Sequence, residues 1–363
     1  MQKNKINQKR AEYNVQLAPF KYLKPSVRTE SYFFLSLLVL QLLLLVFTKS
    51  WNSLFVVFSA VFASVFSEAI DLRFQEKDRF TWTICVIKGI LIGLFLPSSF
   101  PVIPVFFVSF CVFLVNRYIL GGFANSWINP VAVTVAVCYI IGLKFFPEVS
   151  VTLSDLQSRN PALALIQNGT FPVNQEDLKI TAFLNRKIFS AFKVSIPDGY
   201  VSLLWDSHSS IPAFRFNFLT IVSSIALLSF DIISPIIPTC FIFVYSLLVR
   251  FVSPFFYQGP LFQGDVILAL FTSGTLFCAF FLLQWHGTVP LTNRGKVFYG
   301  IFSGIIAFLI AGAGTSPSGM VFTVLILNIV ALLIENVENH YSSKFAVDVL
   351  KKRVQAVREG ENA

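Results

Sequence analysis

The sequence predicts an all-α polytopic membrane protein, with about ten transmembrane helices in two inverted five-helix halves. Of the 363 residues, 55% are hydrophobic and 13% are charged, whereas soluble domains carry roughly 25% charged residues. The apolar residues are gathered into long runs, which short turn-type breaks separate. Glycine- and proline-rich interruptions stand at similar places in the two parts of the chain, and this favours a duplicated arrangement.

The apolar runs predict the individual helices in order. A run of about 17 to 25 apolar residues is long enough to cross a bilayer. Breaks rich in glycine, proline, serine or asparagine divide the runs. The ten predicted spans are 31–48, 51–70, 82–98, 101–117, 128–146, 213–230, 232–251, 262–283, 297–312 and 319–335.

The polar segments divide the chain into five parts. We predict a basic N-terminal arm over 1–30, a first five-helix half over 31–146 and a polar loop over 147–212. A second five-helix half follows over 213–335. The amphipathic, basic tail over 336–363 predicts a short helix on the membrane surface.

The lysine and arginine residues predict the orientation of the spans. If residue 1 lies inside the cell, 18 of the 28 fall on the cytoplasmic side. Positive charge gathers in the cytoplasmic segments of membrane proteins, so we expect both ends of this chain inside and 147–212 outside. The net charge of +9 then indicates attraction to anionic lipid and requires no nucleic-acid partner.

The interruptions predict where a site could lie. An odd number of spans in each half means that the second copy is inverted relative to the first. Interruptions precede the fifth and tenth spans, at 121–130 and 311–319, and others precede the fourth and ninth, at 97–101 and 285–290. Backbone groups left free at membrane depth need partners from protein, water or a ligand. The segment 121–130 is therefore either a re-entrant binding loop or a cytoplasmic turn.

Four residues of this segment are candidate cofactor-binding residues: Gly121, Gly122, Asn125 and Asn129. A glycine permits close approach of backbone or a positive φ. The side-chain amide of Asn129 can satisfy backbone groups freed beside Pro130.

Three charged residues near or inside the spans are candidates for an ion path: Lys88, Glu68 and Asp265. A lysine at the centre of a membrane helix costs about 2.5 to 3.5 kcal/mol. Lys88 should therefore face the bundle interior or pair with Glu68 or Asp265. The alternatives are snorkelling of Lys88 to the nearby inner surface and ordinary helix caps for the two carboxylates.

The sequence contains no pattern for metal binding or for catalysis by this chain alone. Its five cysteines lie inside apolar runs without a C-x-x-C pair. This favours small buried side chains over disulfides or zinc, with a shared iron–sulfur centre as the alternative. No nucleotide-binding, zinc-protease or nucleophile-elbow motif occurs. The residues themselves indicate a polytopic carrier or membrane subunit with a site between two inverted halves.

Six short segments, in order along the chain, resemble the D subunit of the bacterial Rnf electron-transport complex. That family is related to the B subunit of the sodium-pumping NADH:quinone oxidoreductase. The strongest segment, similar to the family's basic residue, glycine pair and closing N-P-A, contains Arg117, Gly121, Gly122, Asn125, Asn129 and Pro130. The other segments are 18–20, 89–97, 273–281, 288–300 and 317–335.

The resemblance implies a membrane subunit of an ion-translocating oxidoreductase complex in the bacterial cytoplasmic membrane. Electron transfer between ferredoxin and NAD would be coupled there to Na⁺ or H⁺ transport, with the other complex subunits as partners. It also implies FMN bound covalently to a threonine of the outer loop, and it leaves room for a second flavin. By position the acceptor is Thr181, about 32 residues before the sixth span, and Thr170 is a weaker candidate.

Two departures from the family pattern keep other functions open. Gln284, Trp285 and His286 stand where the family has threonine-aspartate-proline, so a carboxylate that could serve an ion path is missing. Leu178 and Ile180 replace the small residues of the family's flavin-attachment motif. The alternatives are a channel or carrier of the urea-transporter kind, which also has inverted five-span halves, and a flavin-free scaffold subunit.

Overall fold

All regular structure in the described part of the chain is helical. The computed structural model describes residues 25–74, 81–122, 126–147, 157, 175–193, 195–196, 198–259, 261–262, 264–285, 287–313 and 316–361. The α-helices in these ranges are α1 (Val27–Phe47), α2 (Trp51–Phe74), α3 (Thr81–Phe95), α4 (Val102–Tyr118), α5 (Pro130–Ile141), α6 (Gln175–Lys187), α7 (Tyr200–Trp205), α8 (Asn217–Ser229), α9 (Ile236–Phe251), α10 (Ser253–Tyr257), α11 (Val266–Thr272), α12 (Thr275–Phe281), α13 (Asn293–Ala311) and α14 (Gly319–Glu361). Short 3₁₀ segments lie at Leu143–Phe145, Phe189–Phe192 and Pro212–Phe214.

The predicted all-α membrane-protein class is confirmed. Among the described residues, four helical segments are long and apolar enough to cross a membrane: Val27–Phe47, Trp51–Ile70, Asn293–Ala311 and Gly319–Lys344. Shorter apolar helices, α3, α4, α5, α8 and α9, occupy five further predicted spans. The protein is therefore a multi-pass membrane protein.

The predicted eighth span, 262–283, is wrong as a single helix, because the chain breaks between α11 and α12. Gly274 has φ +67°, and a Cβ at this position would overlap the ring of Phe214. The Ser273 hydroxyl donates to the Ala269 carbonyl at 3.0 Å and lies 2.6 Å from the Thr275 hydroxyl. Side-chain oxygens thus satisfy backbone groups that the break leaves free.

The predicted boundary between the last span and a separate surface helix is also wrong. Helix α14 continues for 43 residues, which corresponds to a length of about 65 Å. No glycine or proline occurs between Met320 and Glu359. Without such a residue nothing interrupts the helical hydrogen bonds, although the side chains change from apolar to polar along the way.

The same pairs of helices contact each other in the two halves. In the first half α3 packs on α1 and α5, and α4 packs on α2 and α5. In the second half α12 packs on α8 and α14, and α13 packs on α9 and α14. This recurrence supports two five-element copies, while their inverted orientation stays a prediction.

Close glycine contacts hold a helix pair together in each half. Gly89 and Gly93, four residues apart on α3, abut the backbone of Val61 and the side chain of Val57 on α2. Gly300 and Gly304 on α13 lie equally close to α9. Small residues at this spacing let membrane helices approach closely and gain packing energy. The α2–α3 contact positions the charged side chains described next.

Candidate functional site

Three charged side chains of the first half come together between α2, α3 and α4. Glu68 lies on α2, Lys88 lies on α3 one residue before the glycine contact, and Arg117 lies in the last turn of α4. Glu68 is 4% exposed and Lys88 is 8% exposed. Lys88 thus lies in the bundle interior beside the same cavity as Glu68, which is one of the alternatives that the sequence offers, and a role in an ion path stays a prediction.

The two oxygens of the Glu68 carboxylate have different surroundings. Oε2 forms an ion pair with the Arg117 guanidinium and lies 3.6 Å from the Cys85 thiol. Oε1 is buried and has no hydrogen-bond partner in the described part of the chain. A buried oxygen without a donor costs about 1 to 3 kcal/mol. One oxygen of this carboxylate is thus held in place by Arg117, and the other is buried without a donor from the described residues.

A cavity of about 40 Å³ adjoins this carboxylate, which is enough for a water molecule or a small ion. Among its described lining residues, Lys88 and Arg117 carry positive charge and Glu68 carries negative charge. The ammonium of Lys88 also lies 5.7 Å from the centre of the Phe113 ring, a cation–π distance. The remaining lining residues are Ser64, Ser67, Ile84, Cys85, Asn116 and Gly122.

The interrupted segment after α4 contributes Gly122 to the lining of the cavity. Gly121 and Gly122 both have positive φ, and a Cβ at Gly122 would meet no atom within 4 Å. Of the two reasons that the sequence offers for a glycine at this position, close backbone approach or a positive φ, the structure shows the positive φ. Asn125 lies outside the described residues. Beyond it, the buried Ser126 hydroxyl lies 2.6 Å from Asn116 Oδ1, which ties the segment back to α4.

Asn129 joins the two halves of the molecule. Its side-chain oxygen accepts hydrogen bonds from the backbone of Val131 at 3.0 Å and Ala132 at 3.4 Å, and so caps α5. Its amide nitrogen donates to the Leu282 carbonyl at 3.2 Å, just beyond α12. The amide thus satisfies backbone groups beside Pro130, as the sequence predicts. Cofactor binding by Gly121, Gly122, Asn125 and Asn129 stays a prediction.

Asp265 is not brought together with Lys88 and Glu68. It caps α11 by accepting from the Leu268 backbone at 2.9 Å, and its other oxygen accepts from the Tyr200 hydroxyl at 3.0 Å. Tyr200 belongs to the polar segment between the halves. The sequence alternative of a helix cap describes Asp265, whereas Glu68 lies in the interior.

The predicted flavin acceptor, Thr181, lies on α6 and is 1% exposed. Its hydroxyl donates to Asp177 Oδ1 at 2.8 Å. Asp177 also accepts from the backbone of Gly199 at 3.1 Å and of Ser202 at 2.6 Å, and from the Ser202 hydroxyl. Burial raises the pKa of Asp177, but these hydrogen bonds outweigh burial and hold the pKa below its ordinary value. The carboxylate therefore fastens α6 to α7.

The residues around Thr181 do not fit a phosphoester-bound FMN in this arrangement. The Thr181 hydroxyl is buried and already donates a hydrogen bond to Asp177, so the oxygen is covered. Lys179, two residues before it, pairs with Glu176 at 3.0 Å on the surface and away from this hydroxyl. The weaker candidate, Thr170, lies outside the described residues. Among the described residues, no group of three or more histidine, cysteine or acidic side chains is placed to hold a metal.

Sequence reasoning alone missed Arg117, Cys85 and Asn116 as members of the cluster. Arg117 stood in the sequence as part of a motif, four residues before the glycine pair. An arginine at the end of an apolar run is typical of the boundary of a membrane span, and the sequence does not show which residue of another helix it contacts. One signal points to the pair: Glu68 stands near the end of the second predicted span, and that end is predicted on the same side of the membrane as Arg117.

Comparison with known proteins assigns the chain to a family. The model of the NQR2, RnfD, RnfE family matches residues 14–343. A relative from Buchnera aphidicola subsp. Baizongia pistaciae, named as the D subunit of an ion-translocating oxidoreductase complex, is 26% identical over 93% of this chain and 95% of its own length. Proteins of the same name from Aliivibrio salmonicida and Alcanivorax borkumensis are 24% and 26% identical, each over 78% of this chain and 85% and 83% of their lengths. Because the family match extends over most of the sequence, this chain belongs to the NQR2, RnfD, RnfE family.

Proposed function

We propose that this chain is a membrane subunit of an ion-translocating oxidoreductase complex in the bacterial cytoplasmic membrane, and that Glu68 lies on its ion path. The family match and the names of the relatives support the first part. The observation that carries the second part is a buried carboxylate that lines a water-sized cavity and has one oxygen without a donor from the described residues. Intramembrane carboxylates in such interiors commonly belong to ion pathways.

The chemistry of a single carboxylate favours H⁺ over Na⁺ as the ion that Glu68 carries. A proton needs one oxygen, with which it forms a covalent O–H bond, whereas a sodium ion needs several oxygen ligands around it. Two cationic side chains, Lys88 and Arg117, line the cavity with one carboxylate, and their charge opposes the binding of either cation. A proton added to Oε1 forms a neutral carboxylic acid, while Arg117 keeps Oε2 in place. Release of that proton restores the ion pair, so the same residues can alternate between two states.

Electron transfer is proposed for the assembled complex. The sequence of this chain contains no nucleotide-binding motif, so we assign the chemistry of ferredoxin and NAD to partner subunits. The chain would supply part of the membrane path for the ion, with no role for nucleic acid. A bound flavin, or a second one, remains a proposal from the family resemblance, and no step of ion transfer depends on it.

The test is Glu68→Gln in the whole complex reconstituted into proteoliposomes. Proton uptake, ²²Na⁺ uptake and the electron-transfer rate are measured together. We expect proton uptake per electron to fall by about tenfold or more, because glutamine cannot take up and release a proton. Electron transfer measured with an uncoupler should persist. Unchanged coupled transport in an assembled complex would favour the scaffold function instead.

Two further variants separate lost chemistry from lost folding. Removing one member of a buried ion pair costs about 3 to 5 kcal/mol, so Glu68→Gln could lower the amount of assembled complex. The double variant Glu68→Gln with Arg117→Gln removes both charges of the pair and should recover assembly without recovering transport. The matched control is Glu176→Gln, which removes an exposed carboxylate paired with Lys179 and should leave transport unchanged.

A further inference from the structure

A second and larger cavity lies at the opposite end of α2 from Glu68. It has a volume of about 550 Å³ and forms where three turns meet: 49–53, Ser98 and the stretch from His208 to Arg215. Ser98 joins two of these turns, because its backbone donates to the Ser210 carbonyl at 2.8 Å. Trp51 and Glu68 are 17 residues apart on one helix, a separation of about 25 Å. The cavity is therefore distinct from the candidate ion-path site.

The lining of this cavity is polar and positively charged. Its described members are Lys49, Ser50, Trp51, Asn52, Ser53, Ser98, His208, Ser209, Ser210 and Arg215. No carboxylate occurs among them. The hydroxyl oxygen of Ser210 is buried and has no partner in the described part of the chain. A ligand with several acceptor oxygens would use both the hydroxyl groups and the positive charge.

The two cationic side chains of the lining, Lys49 and Arg215, differ in whether a carboxylate neutralises them. Arg215 is neutralised by Asp206, with Nε–Oδ1 and Nη2–Oδ2 distances of 2.7 and 2.9 Å, and Nη1 donates to the Ser50 hydroxyl at 2.6 Å. Lys49 forms no ion pair with any described residue. Among the described residues, it is therefore the cationic group of the lining without a carboxylate partner.

The start of α2 adds to this positive field. The first turn of α2 contributes Trp51, Asn52 and Ser53 to the lining and contains no acidic residue. First-turn N–H groups of a helix lack intrahelical acceptors and carry partial positive charge. The N–H group of Trp51 donates to the Lys49 carbonyl at 3.0 Å, which leaves those of Asn52 and Ser53 to add to the positive field beside Lys49.

We propose that this cavity binds the phosphate group of an anionic ligand, with Lys49 as the counter-charge and the surrounding hydroxyl groups as donors. The volume of about 550 Å³ leaves room for an organic group beside the phosphate. A phospholipid headgroup fits this description, because the cavity lies at the helix ends and Trp51 beside it is exposed. Tryptophan is a residue type that anchors at the membrane interface. This inference is independent of the proposed role of Glu68.

The experiment uses the full chain, purified in detergent and depleted of lipid, with two probes measured by calorimetry. One probe is inorganic phosphate and the other is dihexanoyl phosphatidic acid, a soluble phospholipid. We expect saturable binding, weakened by about tenfold in Lys49→Asn, since a charge-assisted hydrogen bond is lost. The backbone of Lys49 is left-handed, with φ +55°, and asparagine tolerates that conformation, so the turn should keep its shape.

The matched control is Lys144→Asn. Lys144 packs over the ring of Phe145, whose carbonyl accepts from Ser99 in the turn next to the cavity, yet it does not line the cavity. Binding of both probes, or of phosphatidic acid alone, supports the site; the first result identifies phosphate as sufficient and the second identifies a lipid. The proposal is overturned if neither probe binds saturably, or if both lysine variants weaken binding equally.

Discussion

At the scale of single residues, two buried carboxylates of this protein have opposite hydrogen bonding. Asp177 accepts from two hydroxyl groups and two backbone N–H groups, so both of its oxygens have donors and its position is fixed. Glu68 has one oxygen paired with Arg117 and one buried oxygen without a described donor. A fully satisfied carboxylate rigidifies a fold. Asp177 therefore has a structural role, and the proposed ion-path role of Glu68 rests on the oxygen that lacks a donor.

A residue-scale prediction concerns Thr181. Because its hydroxyl is buried and donates to Asp177, we expect no phosphoester-bound FMN on this residue. Mass spectrometry of the tryptic peptide around Thr181, from chain co-expressed with a flavin transferase, should show the unmodified mass. A peptide heavier by the mass of FMN would contradict this expectation and would restore the prediction that the family resemblance makes for Thr181. In-gel flavin fluorescence of Thr181→Val, which should equal that of the unchanged chain, is the control.

The residues of the candidate site could be predicted only in part. Lys88 and Glu68 stand out because charge inside an apolar run is costly, and the sequence shows that without a structure. The partners of these residues depend on which helices pack together, as with Arg117 on Glu68 and Leu282 on Asn129. Contacts between residues far apart in sequence leave no local signal. For this reason the sequence predicts Asp265 as a possible partner of Lys88, although Asp265 caps α11 and contacts Tyr200 instead.

At the scale of elements, local sequence predicted the positions of the apolar helices better than their continuity. Hydropathy alone does not show the break at Ser273 and Gly274, because the stretches on its two sides, 266–271 and 276–283, are apolar. The break follows from the positive φ of Gly274 and from the ring of Phe214 that fills the space beside it. Conversely, hydropathy falls after Glu335 and predicts that the last helix ends there, but α14 continues to Glu361.

An element-scale prediction follows for the break between α11 and α12. Gly274→Ala should lower the free energy of unfolding by about 2 kcal/mol or more, because a methyl group must displace the buried Phe214 ring and the backbone is left-handed as well. Gly122→Ala is the matched control, since Gly122 also has positive φ but open space around it. It should lose only about 1 kcal/mol. Thermal unfolding of the purified chain in detergent measures both, and equal losses would mean that the Phe214 contact contributes nothing.

At the scale of the whole molecule, the two halves repeat one set of helix contacts around a shared middle. Helix α5 of the first half packs on α14 of the second, and Asn129 links the start of α5 to the end of α12. Glu68 and the phosphate-binding cavity lie at opposite ends of α2. If the predicted orientation holds, Glu68 is near the cytoplasmic face and the cavity is near the outer face.

The orientation itself is the last prediction, and it belongs to the whole molecule. The 18 of 28 lysine and arginine residues on one side predict that α6 lies outside the cell and that the end of α14 lies inside. In a chain whose five native cysteines are replaced, Ser190→Cys and Ser343→Cys introduce single exposed thiols. A membrane-impermeant maleimide applied to intact cells (or spheroplasts, where an outer membrane is present) should label the cysteine at 190. It should reach the one at 343 only after the membrane is opened, which also shows that this thiol is reactive. The reverse labelling pattern would mean that the orientation of the protein in the membrane is opposite to the predicted one. Glu68 would then lie near the outer face, and protons would enter its cavity from outside the cell.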